Sequence, residues 1–401
     1  MQASVLLYPS DQQSPNAPTL GGLWAPFLYA GRSGMTDRAG AGVAPQQCLS
    51  DWTTLGVGGP ADAFVEVADV ASLGEALAEA EAHDSGVLVL GGGSNVVVAD
   101  DGFRGTVVRI AIKGLRLEKQ GDGVLAHVSA GEDWCSFVSH CVAEGLAGTE
   151  CLSGIPGLAG ATPVQNVGAY GQEVSGTIVS VTVWDRRDRS ALQMTPADCN
   201  FGYRTSIFRA TSRYVVTKVT FGLQRSQLSM PLRYAELTER LGTKLGSRAG
   251  LGETAQAVIE LRMSKGMVLG AGGPDSRSAG SFFVNPVLDE VQMSELLSLV
   301  PDVPRFAAGR GAGAAAAAGA GTPAPMSWKV PAAWLVERAG FARGYRKGGA
   351  AISSRHTLAL TVCDGGTAGD ILALAREVRD AVREVFGVCL VPEPVLVGAH
   401  L

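Results

Sequence analysis

Several signals that define common classes of protein are missing from this sequence of 401 residues. No run of about 18 apolar residues occurs, so the sequence predicts no membrane-spanning helix. No basic stripe occurs either, and the formal net charge is -5, which argues against a nucleic-acid-binding surface. The seven cysteines form no CxxC pair and no tight cluster with histidine. This pattern argues against a structural metal site and favours reduced thiols in a cytoplasm.

Two segments have a composition that argues against regular structure. Residues 1–47 are rich in Pro, Gly, Gln and Ser and lack the basic start and apolar stretch of a secretory signal. We interpret them as a disordered extension, or as the product of a start codon assigned before the true one at Met35. Residues 307–325, AAGRGAGAAAAAGAGTPAP, predict a flexible surface insertion.

The rest of the chain carries both strand and helix patterns. Strands are predicted at DAFVEVAD, GVLVL (expected to be buried), GVLAHVSAG, TIVSVTVWD, RYVVTKVTFGL and TLALTVC, and helices at ASLGEALAEAEAH and EDWCSFVSHCVAEG. Further helices are expected near 288–300 and 331–339. A helix over about 368–386 has the clearest boundaries, because Thr367 and Asp370 match a capping box and Gly387 supplies the stop. The sequence therefore predicts an α+β protein, long enough for two or three domains.

Two glycine-rich segments are candidates for binding a ligand. VLVLGGGSNVVVAD (87–100) places three glycines, Ser94 and Asn95 after a strand, where converging backbone N–H groups can hold an anion. Its spacing matches neither GxGxxG nor GxxxxGK[ST], so it is either a phosphate cradle or a simple glycine-rich turn. SGIPGLAGATPVQNVGAYGQE (153–173) either contacts a planar or phosphorylated ligand or forms a long surface loop.

Four charged side chains are candidates for holding an anion or moving a proton. Arg204 in CNFGYRTSIFR either clamps a carboxylate or is neutralised by a nearby acid. Arg262 and Lys265 are three residues apart and are expected to share a helical face, which suits a diphosphate or an ordinary solvated surface. Glu393 in LVPEPVLVG lies between prolines in an apolar run, which should desolvate its carboxyl and raise its pKa.

Ser281 has unusual neighbours in SRSAGSFFVNP. It is either an ordinary turn serine or a hydroxyl held in a dry pocket to move a proton. Phe282 and Phe283 either exclude water from that pocket or belong to the core of a domain. No histidine in the sequence stands out as a partner for Ser281.

The order of these segments resembles a known family. GGGSN, SGIPGLAGATPVQNVGAYGQE, FGYRTSIF, AGSFFVNP, AAWLVERAGFARGYRKGGAAIS and PEP follow one another as in the UDP-N-acetylenolpyruvoylglucosamine reductases (MurB), bacterial flavoproteins of peptidoglycan precursor synthesis. The resemblance runs from about Leu49 to Gly398. LRYAEL, with Tyr234, is similar to the subgroup in which a tyrosine loop folds over the substrate.

The resemblance implies a fold and a division into domains. The family fold is α+β, a split FAD-binding unit of the vanillyl-alcohol-oxidase (PCMH) type with an inserted α+β substrate-binding domain. Here it implies an FAD-binding domain at 48–265, made of subdomains at about 48–113 and 114–265. A substrate-binding domain at 266–388 and a C-terminal return at 389–401 complete the division.

The resemblance also implies a reaction, its cofactors and its site. The family uses non-covalent FAD, with NADPH as co-substrate, to reduce UDP-N-acetyl-enolpyruvoylglucosamine to UDP-N-acetylmuramate. Arg204 and Glu393 match the family residues that stabilise the enol form, and Ser281 matches the proton donor. The implied FAD contacts are Gly91, Gly92, Gly93, Ser94, Asn95, Pro156, Gly157, Gln165, Asn166, Gly168, Ala169 and Tyr170. The implied substrate contacts are Tyr203, Tyr234, Arg262, Lys265 and Asn285.

Other interpretations stay open at this stage. The chain is expected to be a cytoplasmic monomer acting on small molecules, with no nucleic-acid or membrane partner. One alternative is another FAD-dependent oxidoreductase of the same fold, although no histidine lies in the glycine-rich loops to attach a flavin covalently. A second is a serine hydrolase built on Ser281, although AGSFF is not the GxSxG pattern. A third is a sugar-nucleotide-binding protein without catalysis.

Overall fold

The structure is a computed structural model that describes residues 44–45, 47–270, 273–308 and 326–401. Its strands are β1 Ala44–Pro45, β2 Ala61–Val67, β3 Val87–Leu90, β4 Val96–Val98, β5 Phe103–Ile110, β6 Leu115–Gln120, β7 Gly123–Ser129, β8 Leu146–Ala147, β9 Gly168–Ala169, β10 Gln172–Glu173, β11 Ile178–Asp185, β12 Ser190–Met194, β13 Tyr214–Arg225, β14 Ser278–Ser281, β15 Val287–Leu288, β16 Phe306–Ala307, β17 Trp328–Lys329, β18 Arg346–Lys347, β19 Ala350–Ile352, β20 Ala359–Val362 and β21 Val395–Val397. Its helices are α1 Val70–Ala82, α2 Trp134–Ala143, α3 Ile207–Ala210, α4 Ala235–Arg240, α5 Leu251–Ser264, α6 Glu290–Leu299, α7 Ala332–Arg338 and α8 Ala368–Phe386.

The two segments of biased composition fall mostly outside the described residues. Of the predicted extension 1–47, the structure describes 44–45 and 47, and Ala44–Pro45 pairs with β2. Of the predicted insertion 307–325, it describes 307–308, and Ala307 closes strand β16.

The first sheet has the strand order β1–β2–β5–β3, in which β2, β5 and β3 run parallel. Strands that run parallel in one sheet need a crossover connection, and α1 lies in the connection from β2 to β3, which flank β5. Asp69 and Ser72 form a reciprocal capping box at the start of α1. Leu73 and Leu77 of this helix are buried in the same apolar cluster as Val67 of the sheet, so this helical face covers the sheet.

Strand β3 corrects one expectation. GVLVL does form a strand, but the prediction that the strand is buried was wrong. Leu90 is buried while Val89 is 37% exposed. The reason is that β3 is an edge strand of its sheet, a position that local apolar content does not reveal.

The second sheet is antiparallel, with the order β12–β11–β13–β7–β6 and β8 paired to β13. Its core contains Trp134 and Phe137 of α2 packed on Phe221 of β13, with ring centroids 5.3 to 5.6 Å apart. Helix α2 begins at Trp134 because Asp133 caps it by accepting the N–H of Ser136. Strand β13 and helix α2 confirm the strand predicted at RYVVTKVTFGL and the helix predicted at EDWCSFVSHCVAEG.

The third sheet has the order β14–β20–β19–β18 and packs against α8. The predicted boundaries of α8 are confirmed, since Thr367 and Asp370 form the capping box and Gly387 ends the helix at φ 70°. The predicted inner face is buried at Ile371, Leu374, Val378, Val382 and Phe386. Phe282 and Phe283 are buried in the same cluster, so both rings belong to the core.

Two other helices are confirmed with adjusted ends. The helix expected near 288–300 begins at Glu290, because Asp289 forms its capping box with Gln292 and the residues just before belong to β15. The helix expected near 331–339 spans Ala332–Arg338. Across the ranges that the structure covers, no helix is long and apolar enough to pass through a bilayer.

The C-terminal segment forms a separate two-stranded sheet with β4 and also contacts the segment that follows strand β14 of the third sheet. Strand β21 pairs in parallel with β4, and the Val395 N–H donates to the Asn95 carbonyl at 3.0 Å. Just before β21, the Glu393 N–H donates to the Phe282 carbonyl at 2.8 Å. The last residues therefore lie between the glycine-rich turn that follows β3 and the segment that contains Ser281.

We expect Phe282→Ala to lower the free energy of unfolding by about 3–5 kcal/mol, because it removes a ring that is 1% exposed and leaves a cavity in the core around α8. Denaturant unfolding followed by circular dichroism measures the change. Val385→Ala, on the exposed side of α8, is the matched control and should change the value by no more than about 0.5 kcal/mol. A loss below about 1 kcal/mol for Phe282→Ala would contradict the assignment of this ring to the core.

Candidate active site

The GGGSN segment forms a tight turn from β3 to β4. Gly93 adopts φ 64°, and a Cβ placed on it would lie 1.8 Å from the Trp52 carbonyl oxygen, so a larger residue does not fit. Within the described chain, the backbone N–H groups of residues 91–95 make no hydrogen bond to another residue. Because neighbouring free N–H groups attract anions, this turn is suited to hold a phosphate group.

The second glycine-rich segment packs directly against this turn. A Cβ on Gly92 would lie 2.9 Å from Gly157 Cα, and a Cβ on Gly157 would lie 2.8 Å from Ser94 Oγ. Ser94 Oγ donates a hydrogen bond to the Pro156 carbonyl at 3.1 Å. The two loops therefore meet backbone to backbone, and we call residues 91–95 and 156–157 the cradle.

The cradle fits a phosphorylated cofactor, because free N–H groups and small side chains let a diphosphate approach the main chain. Gln165 extends it on one side, since Asn95 Nδ2 donates to Gln165 Oε1 at 2.8 Å. Asn166 has a different environment. It is buried at φ 47°, and its amide nitrogen donates to Glu173 Oε2 at 3.0 Å and to the Gly202 carbonyl at 3.1 Å. Asn166 thus fixes the shape of the loop.

Arg204 and Glu393 meet beside Gln165, although they are far apart in the sequence. Arg204 Nε lies 3.4 Å from Glu393 Oε1, and both side chains are mostly buried. Gln165 Nε2 donates to the same carboxylate oxygen at 3.3 Å, and Arg204 Nη2 donates to the Gly168 carbonyl at 2.6 Å. Arg204 also holds φ 54°, a conformation that non-glycine residues adopt at a cost and that clusters at functional sites.

Burial raises the pKa of the Glu393 carboxyl above its ordinary value, while the guanidinium groups of Arg204 and Arg209 act in the opposite direction. The direction predicted from the apolar neighbours of Glu393 is confirmed. Of the two alternatives for Arg204, the structure shows the nearby acid, which is Glu393, while the role of Arg204 toward a substrate carboxylate stays a prediction.

Arg209 is a site residue that the sequence analysis missed. Its Nη2 donates to the carbonyls of Pro392 and Glu393 at 3.3 and 3.2 Å. Its Nη1 donates to Gln165 Oε1 at 3.3 Å and to the Arg204 carbonyl at 3.2 Å. A single guanidinium thus joins three segments of the chain that build the site. FGYRTSIFR contains Arg209, but nothing in the local pattern distinguishes it from a surface arginine.

Ser281 closes strand β14, one residue before the carbonyl that accepts the Glu393 N–H. Its Oγ lies 3.4 Å from His356 Nε2. No histidine partner for this serine was expected from the sequence, and that expectation was wrong, because His356 lies beside it. Among the described residues, no carboxylate bonds to the other ring nitrogen of His356, so a hydrolase triad is incomplete.

Tyr203 lies next to Lys329, a residue that the sequence did not single out. The Lys329 ammonium stands 3.6 Å from the centroid of the Tyr203 ring. Asn285 Oδ1 accepts the Ala332 N–H at 2.8 Å at the start of α7. A cavity of about 690 Å³ adjoins this group and is lined by Tyr203, Arg204 and Asn285, and by residues near the end of α8. Ser281 and Glu393 do not line it.

The other predicted substrate residues surround Tyr170. The Tyr170 and Tyr234 rings are 5.3 Å apart, edge to face, and the Lys265 ammonium lies 5.6 Å from the Tyr170 centroid. Lys265 Nζ pairs with Glu236 at 2.6 Å. Arg262 is buried and donates to the carbonyls of Gly154 and Met267, at 3.0 and 2.9 Å.

Arg262 and Lys265 do not share one face of a helix, although the sequence had predicted that they would. Helix α5 ends at Ser264, so Lys265 follows it as the capping residue, and each cation has its own partner in the protein. Gly168 and Ala169 form the short strand β9, just before Tyr170. The predicted roles of these residues toward FAD and substrate stay predictions.

Comparison with known proteins defines the class first. A family model described as "FAD binding domain" matches residues 61–188, the part of the chain that contains the cradle. The protein is therefore an FAD-binding protein, and its α+β fold class is confirmed. A second family model, "UDP-N-acetylenolpyruvoylglucosamine reductase, C-terminal domain", matches residues 273–397, which include Ser281 and Glu393.

Full-length relatives then define the family. The chain is 49% identical over 361 residues to the UDP-N-acetylenolpyruvoylglucosamine reductase of Thermobifida fusca (strain YX), covering 88% of this chain and 97% of that protein. It is 47% identical over 374 residues to the reductase of Saccharopolyspora erythraea, covering 91% and 98%. A crystal structure of the enzyme (MurB) from Thermus caldophilus shares the fold, with TM-score 0.60, 24% identity and coverage of 89% and 100%. The chain belongs to the UDP-N-acetylenolpyruvoylglucosamine reductase family, as its motifs indicated.

We expect Gly92→Ala to abolish retention of FAD, because the added methyl group would collide with the backbone of Gly157 and open the cradle. Flavin absorbance per protein after gel filtration measures the loss. Gly176→Ala is the matched control, since no atom lies within 4 Å of its added Cβ, and it should keep its flavin. A Gly92→Ala protein with a full complement of FAD would show that the loops do not form the cofactor site.

Proposed function

We propose that the protein is an NADPH-dependent enzyme that reduces UDP-N-acetyl-enolpyruvoylglucosamine to UDP-N-acetylmuramate. When bound, FAD would carry hydride from NADPH to the enolpyruvyl double bond. The observation that carries the proposal is the meeting of Arg204 and Glu393, 3.4 Å apart, beside the cradle. The relatives are UDP-N-acetylenolpyruvoylglucosamine reductases, and their names support the same substrate.

The charge of the proposed reaction explains why a guanidinium and a carboxyl are needed together. Hydride addition to the enolpyruvyl group leaves negative charge on the carbon that bears the substrate carboxylate. Arg204 supplies a positive charge that stabilises this charge as it develops. Glu393, whose pKa is raised by burial, supplies a carboxyl that is proposed to hydrogen-bond the enol form.

Ser281 is the proposed proton donor to that carbon. A hydroxyl with its ordinary high pKa acts as an acid only toward a strongly basic, pre-positioned acceptor away from bulk water. Support comes from its position, because Phe282 links Ser281 to Glu393 through the backbone and is itself buried in the core. The rigid core thus fixes the place of the hydroxyl relative to Glu393.

The remaining site assignments follow the predicted contacts. The cradle, with Gln165, is proposed to hold the FAD diphosphate and to continue toward the flavin ring along the loop that ends at Tyr170. Tyr203, Tyr234, Arg262, Lys265 and Asn285 are proposed to hold the UDP-sugar. Because Lys265 is already paired with Glu236, we expect substrate phosphate to exchange for this carboxylate.

We retain the predicted division into domains as part of the proposal. It consists of an FAD-binding domain at 48–265, a substrate-binding domain at 266–388 and a C-terminal return at 389–401. The hydrogen bonds of residues 391–395 with both parts support the return. We further propose that the enzyme works as a monomer in the cytoplasm, where its seven free cysteines would stay reduced.

We expect Ser281→Ala to leave flavin reduction by NADPH intact and to slow the subsequent reaction with the enolpyruvyl substrate by about 10²–10⁴-fold, the usual contribution of a general acid. Stopped-flow flavin absorbance measures the two half-reactions separately. Ser298→Ala, on the exposed part of α6, is the control and should match the wild type in both. If the Ser281→Ala enzyme also matched it in both, Ser281 would not be the acid.

A further inference from the structure

His356 is held beside Ser281 by the sheet itself. Strands β14 and β20 pair with Ser281 opposite Ala359, and the Phe282 N–H donates to the Leu358 carbonyl at 2.7 Å. The turn that precedes β20 is closed by the Ala359 N–H, which donates to the His356 carbonyl at 3.0 Å. The imidazole therefore occupies a fixed position, with Nε2 at 3.4 Å from Ser281 Oγ.

A second set of bonds fixes the other side of this turn. Ser353 Oγ accepts the N–H groups of Arg355 and His356 at 3.1 and 3.3 Å, and the Ser353 N–H donates to the Ala359 carbonyl at 2.8 Å. Ser353 is 1% exposed. These hydrogen bonds fix the backbone around His356 and therefore help to hold its imidazole beside Ser281.

The imidazole is neutral near pH 7. Burial lowers the pKa of His356 to about 4, and the positive charges of Lys265 and Arg343 act in the same direction against the carboxylates of Glu337 and Glu236. A neutral imidazole carries one N–H and one lone pair. The hydrogen bond with Ser281 thus has a direction, which depends on which nitrogen carries the hydrogen.

The two directions have opposite consequences for an acid. If Nε2 accepted, the serine proton would point at the histidine and away from any substrate. If the Nε2–H donates, the hydroxyl proton is free to face the substrate, and the same N–H stabilises the oxygen after that proton has left.

We propose that His356 is a positioning residue for Ser281, whose Oγ accepts a hydrogen bond from the neutral Nε2–H of His356. The inference rests on the proposed role of Ser281 as the acid. In the proton transfer, the Ser281 O–H bond breaks, a C–H bond forms on the substrate, and the electron pair stays on Oγ facing the Nε2–H. Oγ regains its proton from solvent after the product leaves, and His356 is not consumed.

The test compares two substitutions of His356 in the FAD-loaded enzyme. His356→Leu removes the donor, and His356→Gln places an amide N–H that can replace it. We expect the Leu variant to slow the reaction with the enolpyruvyl substrate about 5- to 10-fold, the usual worth of one hydrogen bond, with a larger solvent deuterium isotope effect. Flavin reduction by NADPH and the Kd of the substrate should not change, and the Gln variant should recover most of the rate.

A readout in the resting enzyme does not depend on turnover. Nitrogen-15 NMR of the imidazoles should show His356 protonated at Nε2, with a resonance that is missing in His356→Gln and shifted in Ser281→Ala. His83→Leu, at an exposed histidine, is the control and should leave the Ser281-dependent resonance and both half-reactions as in the wild type. A hydrogen on Nδ1 instead of Nε2 would overturn the proposal.

The outcomes separate this inference from the proposed function. If Ser281→Ala slows the second half-reaction while His356→Leu reacts at the wild-type rate, the role of His356 is refuted and the acid stands. If Ser281→Ala is without effect, the acid assignment fails and takes the inference with it. Equal losses in the Leu and Gln variants would indicate a packing role and would also refute the proposal.

Discussion

The site depends on one structural constraint, the placement of the C-terminal segment between two parts of the chain. Val395 donates to Asn95 on one side, and Glu393 donates to Phe282 on the other. Buried backbone groups need partners, so these bonds fix the segment on both sides. As a result, the Glu393 carboxyl is held between the cradle and the strand that carries Ser281. Without this return, Ser281, the Glu393 carboxyl and the cradle would not be held near one another.

The environment of Glu393 follows from the same placement. Its side chain is mostly buried, and it is contacted by charged and amide groups from other segments of the chain. Arg204 and Gln165 contact its carboxylate, while Arg209 and Asn95 contact its backbone carbonyl. Arg204 reaches it from a left-handed backbone conformation. A strained arginine beside a buried carboxyl is a costly arrangement, and the need to hold charge in the proposed reaction accounts for it.

The sequence predicted those features that local chemistry determines. Helix α8 was predictable because Thr367, Asp370 and Gly387 mark its ends and its apolar residues keep helical spacing. The tight GGGSN turn was predictable because its glycines follow a strand, although the sequence left open whether the turn holds an anion. The raised pKa of Glu393 was predictable because its neighbours are apolar.

Features that depend on distant pairing were not predictable. Arg209, Lys329 and His356 gain their significance from contacts with residues far along the chain, as when Arg209 donates to Glu393. The exposure of Val89 depends on β3 lying at a sheet edge. Local periodicity carries no information on which strands become neighbours. The motif order supplied part of what was missing, because the resemblance placed Arg204, Ser281 and Glu393 in one site.

A double-mutant cycle on Arg204 and Glu393 tests the central claim most directly. The rate of the reaction between reduced enzyme and enolpyruvyl substrate would be measured for Arg204→Met, Glu393→Gln and the double variant. If the two groups act as one unit on the same developing charge, the rate of the double variant should be only a little lower than the rate of the slower single variant. A double variant whose loss equals the product of the two single losses would show that the groups act independently and would contradict the account.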